Sequence, residues 1–149
     1  MKQVQLDLLS DAIPEQVKIW VAAAIEYEGN ISIFKDCRGP TYRAEVRITN
    51  TKKDLVDCEE LRLFGGSLIQ VKETNPKWRP RWKRDYHGKQ LIRLLKAIRP
   101  YLKTKGEQAD ITLKFVERQQ LTPVQIPEYK RMWQRMRELN KRGSDTLAG

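Results

Sequence analysis

An amphipathic helix followed by two alternating segments occurs twice in this sequence, and this repeat limits the possible folds more than any other feature. In the first occurrence, apolar residues at helical spacing end at Gly29, and NISIFKD and YRAEVRITN then alternate with period two. In the second, a helical pattern ends at Gly65-Gly66 and is followed by SLIQVKE and RPRWKRDY. Because neighbouring alternating segments predict hairpins, we expect a four-stranded antiparallel sheet with the helices on one face.

Three further helices are expected after the second hairpin. Apolar residues at helical spacing predict them at about residues 91–102, 107–119 and 128–142. The order is therefore α-β-β-α-β-β-α-α-α, which is an α+β fold. The length of 149 residues suits a single domain. We expect its core at about 14–120, a C-terminal helix at about 127–142 and a frayed tail at 143–149.

Membrane and secretion signals are not recognisable in the sequence. No apolar run approaches the ~20 residues that a membrane span needs. The N-terminal segment MKQVQLDLLSDAIPEQ lacks the basic start and apolar centre of a secretory signal. We therefore expect a protein that has no membrane partner, is not secreted, and works inside the cell, in the cytoplasm or in an organelle.

Positive charge is concentrated in the middle of the chain. The formal net charge is +10, and residues 72–105 alone contain 12 Lys and Arg against 2 Asp and Glu. Aromatic residues are interspersed with these cations in KWRPRWKRDYHGK. This composition suits a surface that contacts the phosphate backbone of a nucleic acid.

The second predicted strand has an apolar face and a charged face, because Ala44, Val46 and Ile48 alternate with Arg43, Glu45 and Arg47. Arg can pair bidentately with guanine, Gln with adenine, and Glu can accept a hydrogen bond from cytosine, so this mixture suits base recognition. The alternative is an ordinary solvated sheet face, and the alternation in the fourth strand does not decide which of its faces would meet DNA. The DNA-contacting residues predicted on the sheet and its loops are Ser32, Arg38, Arg43, Glu45, Arg47, Gln70, Lys72, Arg79, Arg81, Lys83 and Arg84.

The segment VAAAIEYEG, residues 21–29, places two glutamates in the last turn of the first helix. A helix C-terminus carries a partial negative charge, so helix stability does not explain them. The segment resembles the LAGLIDADG motif of homing endonucleases, with Glu at both acidic positions and Tyr27 where a small residue is usual. The order of elements after it also follows the αββαββα core of that family, and RPYLKTKGEQADITLKF resembles the family segment that bears the active-site lysine. The resemblance covers roughly residues 19–120.

This resemblance implies the αββαββα homing-endonuclease fold, with an antiparallel DNA-binding sheet and additional C-terminal helices. It also implies an intron-encoded, Mg²⁺-dependent endodeoxyribonuclease, a hydrolase that cuts both strands of a long, near-palindromic site. A single motif implies a homodimer, because the motif helices of two protomers pack together in this family. Small residues such as Ala22 and Ala23 allow a close approach. The interface is therefore expected at Val21, Ala22, Ala24 and Ile25.

The resemblance also assigns roles to individual residues. Glu28 corresponds to the metal-binding acid of the family, and the Gly29 carbonyl is expected to add a neutral ligand to Mg²⁺, with Mn²⁺ as a substitute. Lys105 aligns with the catalytic-centre lysine, which would stabilise phosphate charge or hold the attacking water, and Lys103 is the competing choice. Asn50 matches a position that organises water, and a helix N-cap is the alternative.

Glu26 lies about 200° around the helix from Glu28, so it cannot easily share the same metal ion. We expect it to form local hydrogen bonds instead.

Two other functions are compatible with the same fold. One is an RNA-binding maturase that helps an intron to splice, in which case the partner is intron RNA. The other is a noncatalytic DNA-binding regulator, in which Glu28 holds no metal.

Overall fold

The computed structural model describes residues 12–36 and 41–148, with side chains through residue 141. The elements are α1 (Glu15–Glu28), β1 (Gly29–Lys35), β2 (Tyr42–Asn50), α2 (Lys53–Val56), α3 (Glu59–Arg62), β3 (Ser67–Val71), β4 (Arg81–Tyr86), α4 (Gly88–Ile98), a 3₁₀ turn (Arg99–Tyr101), α5 (Gly106–Leu121) and α6 (Pro127–Ala148). The strands form one antiparallel sheet in the order β1-β2-β4-β3. The predicted α+β fold with a four-stranded antiparallel sheet is confirmed.

The two faces of the sheet differ in character. The register pairs Ile31 with Val46 and Val46 with Tyr86, and all three side chains are buried on the face that we call the inner face. Side chains alternate along each strand, so the intervening residues point to the opposite, outer face. The outer face carries Asn30, Ser32 and Phe34 from β1, Arg43, Glu45, Arg47 and Thr49 from β2, Arg81, Lys83 and Asp85 from β4, and Ser67, Ile69 and Val71 from β3.

The hydrophobic core joins the inner face of the sheet to the long helices. Burial of each large apolar side chain contributes about 1.5–3 kcal/mol. No helix within the described ranges is long and apolar enough to cross a membrane. The helical members of the core include Val21 and Ile25 of α1, Leu91, Leu94, Leu95 and Ile98 of α4, Phe115 of α5, and Tyr129 and Met136 of α6.

Two helical segments differ from their predicted limits. The helix expected between the hairpins is two single turns, α2 and α3, because Cys58 between them has extended backbone angles of φ −76° and ψ 159°. The tail predicted at 143–149 is wrong for most of its length, because α6 continues to Ala148. No proline follows residue 127 to stop this helix.

The turn from α3 into β3 depends on the glycine pair. Gly65 has φ +87° and Gly66 has φ +82°, conformations that other residues rarely adopt. A Cβ atom on Gly66 would also lie 2.9 Å from a ring carbon of Tyr86. Both the backbone conformation and the packing against β4 therefore require glycine at this position.

Arg84 is a predicted DNA contact that the structure corrects. It pairs with Ile48, so its side chain lies on the inner face, where the residue is 4% exposed. Its guanidinium donates hydrogen bonds to the carbonyls of Val56 and Gly65, both at 2.7 Å, and to the Asp57 carboxylate at 3.1 Å. Arg84 therefore ties β4 to the α2–α3 segment and is not available to DNA.

We expect Arg84→Met to lower the free energy of unfolding by about 2–4 kcal/mol, because the buried Val56 carbonyl and the partly buried Gly65 carbonyl would lose their donor. Urea denaturation measures this loss. Arg43→Met on β2 is the control, with an expected change below about 1 kcal/mol because the Arg43 side chain is 65% exposed and lies 3.9 Å from its partner Asp36. Equal effects of the two substitutions would contradict the structural role of Arg84.

Candidate functional site

The junction between α1 and β1 is formed by Glu28 and Gly29. Glu28 is exposed at the end of α1, and its carboxylate has no hydrogen bond or ion pair with any other residue that the structure describes. Gly29 follows the helix with φ −99° and begins β1, so the helix ends where its apolar spacing ends in the sequence. A Cβ atom on Gly29 would lie 2.8 Å from the Ile25 Cα, so close packing of the strand on the helix requires glycine.

The ammonium group of Lys105 lies on this junction, although 76 residues separate Lys105 from Gly29 in the sequence. Its Nζ donates hydrogen bonds to the carbonyl oxygens of Gly29 at 2.6 Å and Ile25 at 2.9 Å. The Ile25 carbonyl also accepts the Gly29 N–H. Carbonyls at a helix C-terminus carry partial negative charge, so they stabilise a cation. Burial lowers the pKa of Lys105, and the nearby Glu26 carboxylate partly opposes this effect.

Glu26 makes the reciprocal contact from α1 to the segment that precedes α5. Its carboxylate accepts hydrogen bonds from the backbone N–H groups of Lys103, Thr104 and Lys105 at 2.8, 3.0 and 3.1 Å. Successive amides before a helix N-terminus favour an anion. Burial raises the pKa of Glu26, but the hydrogen bonds from these residues more than offset it, so the pKa is lowered. Opposite charges thus fix residues 103–105 against α1.

The prediction that Glu26 forms hydrogen bonds is confirmed, with one correction. Its partners are not local, because they lie 77 to 79 residues later in the chain. Sequence spacing gave no signal of this contact.

Asn50, the third predicted catalytic residue, has a local structural contact. Gly29 pairs with Ile48, so Asn50 lies two residues beyond that pair at the end of β2. Its Oδ1 accepts a hydrogen bond from the Lys52 N–H at 2.9 Å, which turns the chain toward α2. The N-cap of α2 is Lys52, so the alternative N-cap role for Asn50 is wrong.

Oxygen ligands for a divalent ion are present at the α1–β1 junction but incomplete in one protomer. Hard oxygen donors suit Mg²⁺, and the exposed Glu28 carboxylate is available to provide one. The Gly29 carbonyl already accepts the Lys105 ammonium, whose charge opposes a second cation on the same oxygen. The exposed carboxylate therefore fits Mg²⁺, but one such ligand does not complete a site.

A second group of potential metal ligands lies on the outer face, at Glu45, Asp85 and His87. One ligand atom from each lies within 4.8 Å of the others. However, the Arg47 guanidinium bonds to Asp85 at 2.8 and 3.2 Å and lies 3.0 Å from Glu45, and the Lys83 Nζ lies 3.4 Å from Asp85. These two cations balance the two carboxylates, so little negative charge remains to attract a divalent ion.

The outer face carries most of the residues that the sequence predicted to contact DNA. The prediction that Gln70 contacts DNA needs correction. Gln70 pairs with Trp82, so its side chain lies on the inner-face side of the sheet. Ile69, which was not predicted, lies on the outer face and is 44% exposed. Arg38 lies outside the described residues. The predicted residues on this face are Ser32, Arg43, Glu45, Arg47, Arg81 and Lys83.

The loop between β3 and β4, residues 72–80, is a basic and aromatic surface. The predicted contacts Lys72 and Arg79 are exposed here, together with Lys77, and Trp78 is 59% exposed. Other cations of the basic segment are used within the fold, as in the ion pairs of Arg99 with Asp110 and Lys96 with Glu117. The positive charge seen in the sequence is therefore only partly available to a nucleic acid.

The predicted dimer interface also needs correction. Val21, Ala22 and Ile25 are 0%, 1% and 0% exposed and pack in the core of their own protomer, so they cannot meet a second copy. Ala24 is half-buried beside them. The opposite side of α1 carries an exposed stripe at helical spacing, which is typical of a protein contact. This α1 stripe consists of Ile19, Trp20, Ala23 and Tyr27, of which Tyr27 is 84% exposed.

Comparisons with known proteins give matches only among solved structures, because no protein-family model and no curated protein matches the sequence. The homing endonuclease I-CvuI in complex with its target has a TM-score of 0.67 at 17% identity, over 84% of this chain and 82% of that chain. The archaeal intron-encoded homing endonuclease I-Vdi141I, complexed with DNA, has a TM-score of 0.64 at 16% identity, over 83% and 82% of the two chains.

A third solved structure carries the family name of the motif. The I-SmaMI LAGLIDADG homing endonuclease, bound to cleaved DNA, has a TM-score of 0.58 at 21% identity. The match covers 78% of this chain but 41% of that chain, so this chain corresponds to less than half of I-SmaMI. With the αββαββα order and the motif helix leading into β1, these matches show that this chain has the fold of the LAGLIDADG homing endonucleases.

Proposed function

We propose that this protein is a site-specific DNA endonuclease that acts as a homodimer, depends on a divalent metal ion, and cuts a long pseudo-palindromic site. The observation that carries the proposal is the Lys105 ammonium 2.6 Å from the carbonyl of Gly29, the residue that directly follows the exposed Glu28. A carboxylate that is free to bind a metal ion and a cation held at the same helix–strand junction suit phosphodiester hydrolysis. The similarity to I-CvuI and I-Vdi141I, homing endonucleases solved in complex with DNA, supports the site-specific DNA endonuclease.

The dimer would form along the α1 stripe. Ala24 is half-buried at the edge of the α1 stripe, and Glu28 follows Ala24 by one helical turn. Glu28 therefore lies at the border of the stripe. A two-fold contact between two α1 helices would bring the two Glu28 carboxylates near each other. Carboxylates held close together repel unless cations lie between them, so this arrangement would create the divalent site that one protomer lacks.

Mg²⁺ would be held by the two Glu28 carboxylates, since the Gly29 carbonyl, the other ligand expected from the sequence, already accepts the Lys105 ammonium. When bound, Mg²⁺ would supply an activated water and would stabilise charge on the phosphate. Lys105 would add positive charge that is already oriented by its two carbonyl partners. Glu26 is a positioning residue, because it holds the backbone of residues 103–105.

DNA would lie along the outer face and the loop at residues 72–80. Arg43, whose side chain is 65% exposed, and the loop cations Lys72, Lys77 and Arg79 are placed to contact phosphates. If each protomer neutralises about six phosphates, a plot of the logarithm of the dimer's binding constant against the logarithm of the salt concentration has a slope of about −11. Binding should therefore be strongly sensitive to ionic strength.

A plasmid that carries the intron-less insertion site of the host gene tests the proposal. We expect a linear product with Mg²⁺ or Mn²⁺ and intact plasmid with EDTA. Plasmid that stays intact under every divalent ion would contradict the endonuclease. Tight binding without cutting would then favour a noncatalytic regulator, and preferential binding of intron RNA would favour a maturase.

Lys105→Met is expected to lower the single-turnover cleavage rate by roughly 10²–10³-fold, because it removes oriented positive charge from the reacting phosphate. It should also lower the free energy of unfolding by about 1.5–3 kcal/mol, because the helix-end carbonyls lose a charged donor. Lys103→Met is the matched control, since Lys103 is exposed two residues away. Equal loss of cleavage in both variants would contradict the assignment of Lys105.

A further inference from the structure

An ion-pair network occupies the centre of the outer face, where β2 pairs with β4. The Arg47 guanidinium donates to Asp85 from Nε at 2.8 Å and from Nη2 at 3.2 Å, and Nη2 lies 3.0 Å from Glu45. Lys83 Nζ lies 3.4 Å from Asp85. We call Glu45, Arg47, Lys83 and Asp85 the central network, and the His87 Nε2 adjoins it at 3.1 Å from Glu45.

The acids of the central network lie deeper than its cations. The side chains of Glu45 and Asp85 are 10% and 5% exposed, whereas those of Arg47 and Lys83 are 38% and 22% exposed. Two carboxylates balance two cations, so the network has no net charge when His87 is neutral. A surface that only had to attract phosphates would gain from cations without buried acids beside them.

The hydrogen bonds of Arg47 also limit what it can do in a DNA groove. A guanidinium has five N–H donors, and two of those on Arg47 bond to Asp85, from Nε and from Nη2. Nη2 also lies 3.0 Å from Glu45, so two of the three Arg47 nitrogens are engaged with carboxylates. A bidentate contact of Arg47 with guanine therefore competes with these ion pairs, and it is favoured when the network opens.

We propose that the central network sets sequence specificity by suppressing binding to DNA of arbitrary sequence, an inference that rests on the proposed DNA-binding function. Any duplex presents phosphates, and a neutral surface gains little from them. The free-energy cost of opening the ion pairs is offset only when the base edges supply groups that bind the freed side chains. Those groups are a donor such as cytosine N4 for a carboxylate and the acceptors of guanine for Arg47.

Charge-removing variants of the acids test this inference with a 30-bp duplex of random sequence as the probe. We expect Glu45→Gln and Asp85→Asn each to raise affinity for this duplex by about 3–10-fold at 0.1 M salt and to steepen the log–log salt slope by about 0.9, because each leaves one positive charge of the network without a balancing carboxylate. Asp110→Asn is the matched control, because Asp110 also forms a bidentate pair, with Arg99 at 2.7 and 2.9 Å, away from the sheet.

The same variants should lose discrimination. With a duplex recovered by selection from a randomised library, we expect the ratio of selected to random affinity to fall at least about fivefold in Glu45→Gln but not in Asp110→Asn. Thermal unfolding checks folding, and if Asp85→Asn unfolds, the less buried Glu45→Gln decides the result.

Unchanged affinity for the random duplex would overturn the inference and leave the endonuclease proposal intact. A loss of affinity confined to the selected duplex would also overturn the inference, because the acids would then contact bases without suppressing binding to DNA of random sequence. If the wild-type protein bound neither duplex, the proposed function itself would fail.

Discussion

Glu28→Gln protein is expected to bind its DNA site and leave it uncut, with a cleavage rate lowered by at least about 10³-fold. The amide keeps the shape of the side chain but loses the negative charge that would hold a divalent ion beside its counterpart. Folding should be unaffected, because the exposed Glu28 carboxylate makes no hydrogen bond or ion pair with other described residues. Single-turnover cleavage and thermal unfolding measure the two effects.

The control for this variant is Glu117→Gln, which removes the same charge from an exposed position on α5. Its cleavage rate should match that of the wild type within about twofold. Calorimetric titration of the protein–DNA complex with Mn²⁺ gives a readout that does not depend on turnover, and Glu28→Gln should lose the heat of binding. Full cleavage by Glu28→Gln would remove Glu28 from the metal site.

Ala23→Glu is expected to separate the dimer while leaving each protomer folded. Ala23 lies on the α1 stripe and is exposed, so a single protomer tolerates a larger side chain there. In a two-fold interface, the new carboxylate would be buried near its own copy without a partner. We expect the dimer dissociation constant to rise by at least about 100-fold, which is about 2.7 kcal/mol, and cleavage to be lost at concentrations where the wild type is dimeric.

Sedimentation equilibrium measures this dissociation directly. Gln134→Glu is the control, because it adds one negative charge at an exposed position on α6. A wild-type protein that stays monomeric at micromolar concentration, with or without DNA, would contradict the α1 interface. A dimer that Ala23→Glu leaves intact would place the interface elsewhere.

The fold was largely predictable because each helix and hairpin has its own period in the sequence. The sequence did not predict which residues of β3 lie on the outer face. Leu68 and Ile69 are adjacent apolar residues, and a period of two does not choose between them. The register with β4 decides, and it puts Ile69 and not Gln70 on the outer face. Arg84 was wrongly predicted to contact DNA because the sequence does not show its hydrogen-bond acceptors. These are the carbonyls of Val56 and Gly65, which the tertiary fold brings to its guanidinium.

The site was predictable from the family resemblance only in part. The motif and the lysine segment pointed to Gly29 and Lys105, and the structure brings these two residues into contact. The roles of Glu28, Gly29 and Lys105 stay predictions. No local pattern indicated that Glu26 would bind the amides before α5. The alanine triplet misled the interface prediction, because successive residues on a helix point about 100° apart. Which alanine meets solvent depends on how α1 sits on the sheet, and that choice exposes Ala23 and buries Ala22.

The most direct test of the central claim is a crystal structure of the protein on its selected DNA site with Mn²⁺, whose anomalous scattering locates the ion. We expect two protomers on one duplex, with Mn²⁺ between the two Glu28 carboxylates at the two-fold axis. A single protomer on the DNA, Glu28 carboxylates that lie far apart, or Mn²⁺ at Glu45, Asp85 and His87 would contradict the claim.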